Sequence, residues 1–278
     1  MKAEKILFVA QEITPYVPEN EISSIEREIA VKAIEEEREV RAFMPKWGHI
    51  NERRNQLHEV IRLSGLNISI DDVDHQLVLK VATLAGTKMQ VYFIDNEDFY
   101  GKRLEEMDAK GKEYKDNLER CVFYARGVIE TIKKLRWIPD VIHCQGWISA
   151  LVPLYLKQVY KDDFAKCKIV YTSTPNNLTK NSSKRTSNIL YLKNGNAVCD
   201  GIKCMKDFGT VLTPIQLEMM AVKYADGTIL PEGSEELGKY AKKQKKTVLY
   251  INDASNPQLH LEFFDQILSE ASKAKGGK

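Results

Sequence analysis

The feature that most constrains this chain is an alternation of short apolar runs with amphipathic ones, beginning almost at the first residue. Lys5 to Ala10 (KILFVA) is a near-continuous apolar run, as a parallel strand buried on both faces requires. A turn-like segment with Pro15 and Pro18 follows. Ile22, Ile25, Ile29, Ala33 and Ile34 then recur at helical spacing, with Glu and Arg on the other face. Asn20 or Ser23 is the expected cap, and Glu26 stands three residues after Ser23 as in a capping box. Glu39 to Met44 (EVRAFM) is a second strand, stopped by Pro45. Strand, helix and strand in such close succession imply a parallel pair joined by a right-handed crossover.

The alternation runs on to the end of the chain. QLVLKVATL and KMQVYFID, within residues 76–95, flank Ala85-Gly86-Thr87 and read as a β-hairpin. Leu118, Cys121, Val122, Ala125, Val128, Ile129, Ile132 and Leu135 form the clearest helical face, ended by Trp137-Ile138-Pro139. DVIHC (140–144) is a strand, Trp147 to Tyr160 a helix, KIVYTS (168–173) a strand and 174–188 an exposed polar loop. Strand-like GTVLTP, GTILP and KTVLYIN then alternate with helical IQLEMMAVKYA, SEELGKYAKKQ and PQLHLEFFDQILSEASK. The pattern predicts one doubly wound, Rossmann-like α/β domain with a mostly parallel sheet and an inserted β-hairpin. Its ligands are expected beyond the carboxyl ends of the strands. The expected division is a main domain over 1–255 and a terminal helix with a frayed tail over 256–278.

Composition narrows the function classes. Lys plus Arg is 41 against 39 for Asp plus Glu, a formal charge of +2 that supplies no cation surplus for nucleic-acid binding. The five-residue run Ile6 to Ala10 is too short for a secretory signal, and Ile148 to Leu156 is too short for a membrane span, so a cytoplasmic chain is expected. The five cysteines are odd in number and contain no Cys-x-x-Cys pair, which indicates neither a disulfide framework nor a zinc site. Cys199 and Cys204 read as reduced thiols, with metal ligation as the alternative. No Walker loop, GxGxxG or Ser/His/Asp arrangement is present, so no metal and no cofactor is expected. Lys242, Lys243, Lys245 and Lys246 end a helix, where cations complement its dipole.

Five segments in order resemble the N-terminal domain of bacterial glycogen synthases and plant starch synthases. They are KILFVAQEITPY, EVRAFMPKWGHI, VYFIDNEDFYGKR, YKDNLERCVFYARGVIE and IPDVIHCQGWISALVPLYLK. The similarity covers about residues 4–175, with a weaker match at Ala221 to Asp226. It implies the N-terminal half of a GT-B fold, ADP-glucose as donor and an α-1,4-glucan as acceptor. The family's Lys-Thr-Gly-Gly-Leu loop is matched here by Pro18-Glu19-Asn20-Glu21-Ile22. Pro18 stands at the lysine position, and Asn20 and Glu21 stand at the glycines. Two carboxylates in such a loop repel a diphosphate, and proline removes an N–H donor. The His-Asp-Trp-His motif is matched by Gln145-Gly146-Trp147-Ile148, and Thr-x-His-Asn by Thr172-Ser173-Thr174-Pro175. The family's second domain, which supplies the remaining diphosphate-neutralising groups, is not expected to fit in this length.

The resemblance therefore implies a glycogen/starch synthase-like protein without autonomous glucosyltransferase activity. It would bind a glucan, ADP-glucose or an enzyme of glycogen metabolism. The alternative is one half of a split transferase, completed by another chain. The candidate substrate-binding residues are Trp147, His143 and Trp47. Each also has a purely structural reading: packing against the sheet for the indoles, a buried histidine for His143. The loop cations Lys180, Lys184 and Arg185 are candidates for an anionic partner or simply solvated.

Overall fold

The computed structural model describes residues 1–180, 186–252 and 256–276. In chain order the strands are β1 (Lys5–Val9), β2 (Glu39–Pro45), β3 (His58–Glu59), β4 (Leu66–Ile70), β5 (Val73–Thr83), β6 (Gln90–Asp95), β7 (Val141–Gln145), β8 (Lys168–Thr172), β9 (Leu192–Asn194), β10 (Ala197–Cys199), β11 (Gly227–Pro231) and β12 (Thr247–Ile251). The α-helices are α1 (Glu21–Glu35), α2 (Asn117–Leu135), α3 (Val152–Gln158), α4 (Thr186–Leu190), α5 (Gly201–Cys204), α6 (Pro214–Tyr224), α7 (Glu235–Lys243) and α8 (Pro257–Gly276).

Among the described residues the main sheet runs β12-β11-β8-β7-β1-β2-β6-β5-β3, with β4 also paired to β5. From β12 to β6 every pairing is parallel. The expected hairpin is present as β5 and β6, but β6 is also the outermost parallel strand, paired with β2. A further antiparallel strand, β4, joins β5 through Asp71 and Asp72, both at positive φ. The sequence reading missed it because LNISI carries only three apolar residues and no Gly-containing turn.

Helices α1 and α8 pack together on one face, while α2, α3 and α6 pack in a row on the other. Phe8, Phe43, Phe93 and Phe123 are among the largest buried side chains between these layers. Helix α8 is part of that core. Phe264 packs on Phe8 and His143, and Leu261, Phe263 and Ile267 are buried.

Three local expectations are corrected. The cap of α1 is Asn20 alone: its Oδ1 accepts from Ser23 N at 2.8 Å, and Ser23 Oγ accepts from Asn20 N at 3.1 Å. Glu26 is instead buried on the helix's inner face. GTVLTP forms no strand, because Thr210 O and Leu212 N bond to Thr186 while Thr213 caps α6. Trp147 to Tyr160 is broken into a 3₁₀ turn (Trp147–Ser149) and α3, with Pro153 in the first turn of the latter. The loop from 174 is also less free than its polarity implied, since Glu113 accepts from Thr179 N and Lys180 N. Lys184 and Arg185 lie outside the described residues.

Candidate functional site

Strand β1 pairs with β2 on one side and β7 on the other, so the chain winds away from it in both directions. In an open α/β sheet the crevice beyond the carboxyl ends of such strands is where ligands bind. The segments emerging there are Gln11-Glu12 after β1, Lys46-Trp47 after β2, Gly146-Trp147 after β7 and Ser173-Thr174 after β8.

A groove of about 470 Å³ opens at this edge. Glu12, Glu105, Glu106, Asp108, His49, Asn20, Asn177 and Pro18 line it, with Val17, Leu104 and Met107. Among the described residues no lysine or arginine is in the lining. Asn20 joins the start of α1 to the loop after β1. Besides capping α1, its amide donates to Glu12 Oε2 at 2.6 Å, and Gln11 Nε2 donates to Glu12 Oε1 at 3.1 Å. The N-terminus of α1, which could otherwise receive an anion, is thus filled by a side-chain oxygen next to a carboxylate.

Across the groove, burial pushes the Glu105 carboxyl up to about 7, helped by the charges of Glu12 and Glu106 and opposed by its own backbone N–H. His49 Nε2 lies 3.6 Å from Glu105 Oε1, and burial lowers the imidazole's pKa. Desolvation therefore favours the neutral form of both partners. Glu106 accepts from the backbone and side-chain amides of Asn177, each at 3.0 Å.

The wall carrying Leu104 to Glu106 is held by Arg120 of α2, which is fully buried. Its guanidinium donates to Phe99 O at 3.0 Å, Leu104 O at 2.6 Å, Asn117 Oδ1 at 2.9 Å and Glu105 O. It lies over the rings of Tyr114 at 5.0 Å, Trp47 at 5.1 Å and Tyr100 at 5.5 Å.

The three candidate residues are all found at this edge, and all three are buried. Trp47 and Trp147 lie near one another, ring centroids 6.5 Å apart, with Arg120 over both. The Trp47 indole donates to Gln11 O at 2.9 Å, directly behind Glu12. Trp147 borders a second cavity of about 80 Å³ with Leu118, Leu178, Lys180 and Leu217, and its indole N–H has no acceptor among the described residues. Gly146 before it sits at φ +77°, and a Cβ there would collide with Gln11. His143 borders a third cavity of about 90 Å³. Its Nε2 is 2.7 Å from Thr172 Oγ1 and its Nδ1 is 3.3 Å from Glu26 Oε1. Gln145 Nε2 donates to Ile22 O at 3.0 Å, which ties β7 to the start of α1.

Sequence reasoning missed Glu12, Glu105, Arg120 and Glu218. Glu218 of α6 accepts from Ser173 Oγ, from Asn176 Nδ2 at 3.1 Å and from Tyr171 OH at 3.3 Å, and burial raises its pKa. Its only sequence signal was a carboxylate inside an otherwise apolar helical run. Among the described residues no group of three His, Cys, Asp or Glu side chains could hold a metal ion, and no helix is long and apolar enough to cross a membrane.

The mostly parallel sheet between two helix layers is the fold of a GT-B-type catalytic domain. The profile of the starch synthase catalytic domain matches residues 5–227, and the chain belongs to that family. Glycogen synthase of Chlorobium luteolum is 37% identical over 159 residues, 57% of this chain and 32% of that protein. Glycogen synthase of Chlorobaculum tepidum is 39% identical over 174 residues, covering 60% and 35%. Glycogen synthase of Chlorobium chlorochromatii is 32% identical over 206 residues, covering 73% and 42%. The chain thus spans 32% to 42% of the length of these relatives. The catalytic domain of starch synthase IV from Arabidopsis thaliana, solved with ADP and acarbose, superposes with a TM-score of 0.70. At 15% identity over 91% of this chain and 52% of that one, it shares the fold.

Proposed function

We propose that this chain is a glucan-binding member of the starch synthase catalytic domain family that does not transfer glucose by itself. One observation carries the reading: the groove at the end of β1 is lined by four carboxylates, with Asn20 occupying the start of α1. A nucleoside diphosphate needs backbone N–H groups and cations there. Carboxylates and amides suit a neutral, hydroxyl-rich ligand, because they accept and donate hydrogen bonds without a net charge to match. The carbohydrate seen with the Arabidopsis relative is of this class. Trp47 supports the groove through Gln11 and Trp147 through Arg120, while His143 and Gln145 hold the base of α1.

Titration calorimetry tests this. Maltoheptaose should give saturable heat that is weakened at least tenfold in Glu12→Ala, and ADP-glucose should give none. Release of ADP from ADP-glucose by the purified chain would overturn the proposal.

A second reading is half of a split ADP-glucose:α-1,4-glucan glucosyltransferase completed by another chain. It draws on the groove being open at the edge over which a second domain would close. Co-expression with a candidate partner chain separates the two, since only the split enzyme gains transfer activity.

A further inference from the structure

Away from the carboxyl edge, one pair of reactive side chains stands out. Cys199 ends β10 and Cys204 ends α5; both are buried, and their Sγ atoms are 3.6 Å apart. The short connection between them is held on both sides. Asp200 accepts from Ile202 N at 3.0 Å and Lys203 N at 3.3 Å, and Gly201 packs so tightly on Ser187 that a Cβ would strike its carbonyl. A disulfide requires a sulfur separation of about 2.05 Å, so the two atoms must close by about 1.5 Å.

The pair is also polarised. The Cys199 S–H, the Tyr224 hydroxyl at 3.9 Å and the charge of Lys223 hold the Cys204 thiol down at about 7, while Cys199 is driven up. The other three cysteines lack this arrangement. Cys121 and Cys167 donate to backbone carbonyls, and burial raises the thiols of Cys121, Cys144 and Cys167.

We propose that Cys199 and Cys204 are a dithiol–disulfide couple, oxidised by a small-molecule disulfide, that stiffens the lobe formed by residues 186–204. The Cys204 thiolate, its proton given to solvent, attacks one sulfur of the small-molecule disulfide, whose S–S bond breaks and releases one thiolate. Cys199 gives its proton to that thiolate, and its sulfur attacks Cys204 Sγ. The second small-molecule thiolate leaves and takes a proton from solvent. Two protein thiols are oxidised by two electrons, and one small-molecule disulfide is reduced to two thiols. The lobe borders a cleft of about 630 Å³ where Tyr191, Val198 and Ile202 are exposed beside Arg126, so the couple sets the rigidity of that cleft's wall. Both sulfurs are buried, so the reaction proceeds through local opening of the single turn of α5.

The native protein is equilibrated in graded mixtures of reduced and oxidised glutathione, quenched in acid, alkylated under denaturing conditions and mapped by mass spectrometry. Alkylatable cysteines should fall from five to three as the mixture becomes oxidising, with one linked pair at Cys199–Cys204 that excess reduced glutathione reopens. Chymotryptic cleavage at Tyr191 should slow severalfold in the oxidised form. A Cys199→Ala variant should stop at a glutathione adduct on Cys204; the wild-type map decides the question if that variant does not fold. Five alkylatable cysteines throughout, a link between other cysteines, or a wild-type adduct on Cys204 with Cys199 free would overturn the couple. Unchanged cleavage in the linked form would overturn its effect on the lobe.

Discussion

Replacing Arg120 by methionine tests whether one buried cation organises the wall of the groove. Arg120 donates to four acceptors, three of them backbone carbonyls of Phe99, Leu104 and Glu105, and it is shielded by four aromatic rings. Burial opposes its charge and lowers its pKa. Methionine fills much of the volume but strands the acceptors, each at a cost of roughly 1–3 kcal/mol. The variant no longer carries the desolvation cost of the guanidinium, several kcal/mol for a buried ion, which offsets part of that loss. The net expectation is a loss of about 3–5 kcal/mol, a large share of the roughly 5–15 kcal/mol that holds a typical domain. Urea unfolding followed by tryptophan fluorescence measures it, with Trp47 and Trp147 reporting from beside the site. Arg120→Lys should fall between wild type and methionine, because one ammonium cannot reach all four acceptors. A methionine variant within about 1 kcal/mol of wild type, with unchanged m-value and native emission, would refute the reasoning.

Four further outcomes follow from the structure. Glu105 is raised from 4.5 to about 7, so the folded state holds a proton that the unfolded chain has lost, and stability should fall as pH rises through that window. Glu105→Gln should flatten this slope in thermal unfolding; a slope that persists would assign it elsewhere. His260 is lowered from 6.5 to about 4, by burial first and His143 second, so its neutral form stabilises the fold and stability should drop as pH falls from about 6.5 to 4. His260→Phe should reduce that drop in acid-unfolding curves, and an unchanged curve would argue against it. Gly227→Ala places a Cβ 2.5 Å from Ile267 Cδ1, so overpacking should cost roughly 1–3 kcal/mol. Deleting residues 256–278 should expose the apolar face under α8 and cause aggregation by light scattering, whereas a monodisperse, equally stable product would contradict the docking of that helix.

The parallel core was legible because it depends on local pattern. KILFV, VIHCQ and KIVYT are short, mostly apolar runs buried on both faces, and such runs alternating with helical stripes admit few topologies. What escaped the reading depended on distant partners. GTVLTP has strand composition, yet its backbone bonds run to Thr186, and nothing within six residues encodes that. Glu26 looked like one half of a capping box; the fold turns it inward against His143 of β7. The Trp47, Trp147 and His143 positions were legible at the strand ends. The groove beside them was not, because Glu12, Glu105 and Asn177 come from three separate loops and no spacing links them.

The loop after β1 shows why its substitutions are not independent changes. Without glycines at positions 20 and 21, the chain needs a cap for α1, and Asn20 provides it in mutual hydrogen bonding with Ser23. The same side chain has a spare N–H₂, which Glu12 accepts at 2.6 Å. Glu12 is therefore fixed facing the groove, and its charge helps raise Glu105 on the opposite wall. A diphosphate entering here would have to displace the cap, separate Asn20 from Glu12 and face carboxylates on both sides. A neutral polyol would only have to exchange hydrogen bonds with water for hydrogen bonds with Glu12, Asn177 and His49. On the glucan-binding proposal one side chain serves both ends, because Asn20 caps α1 and orients Glu12 into the groove, which is why the altered loop and the acidic groove are one feature.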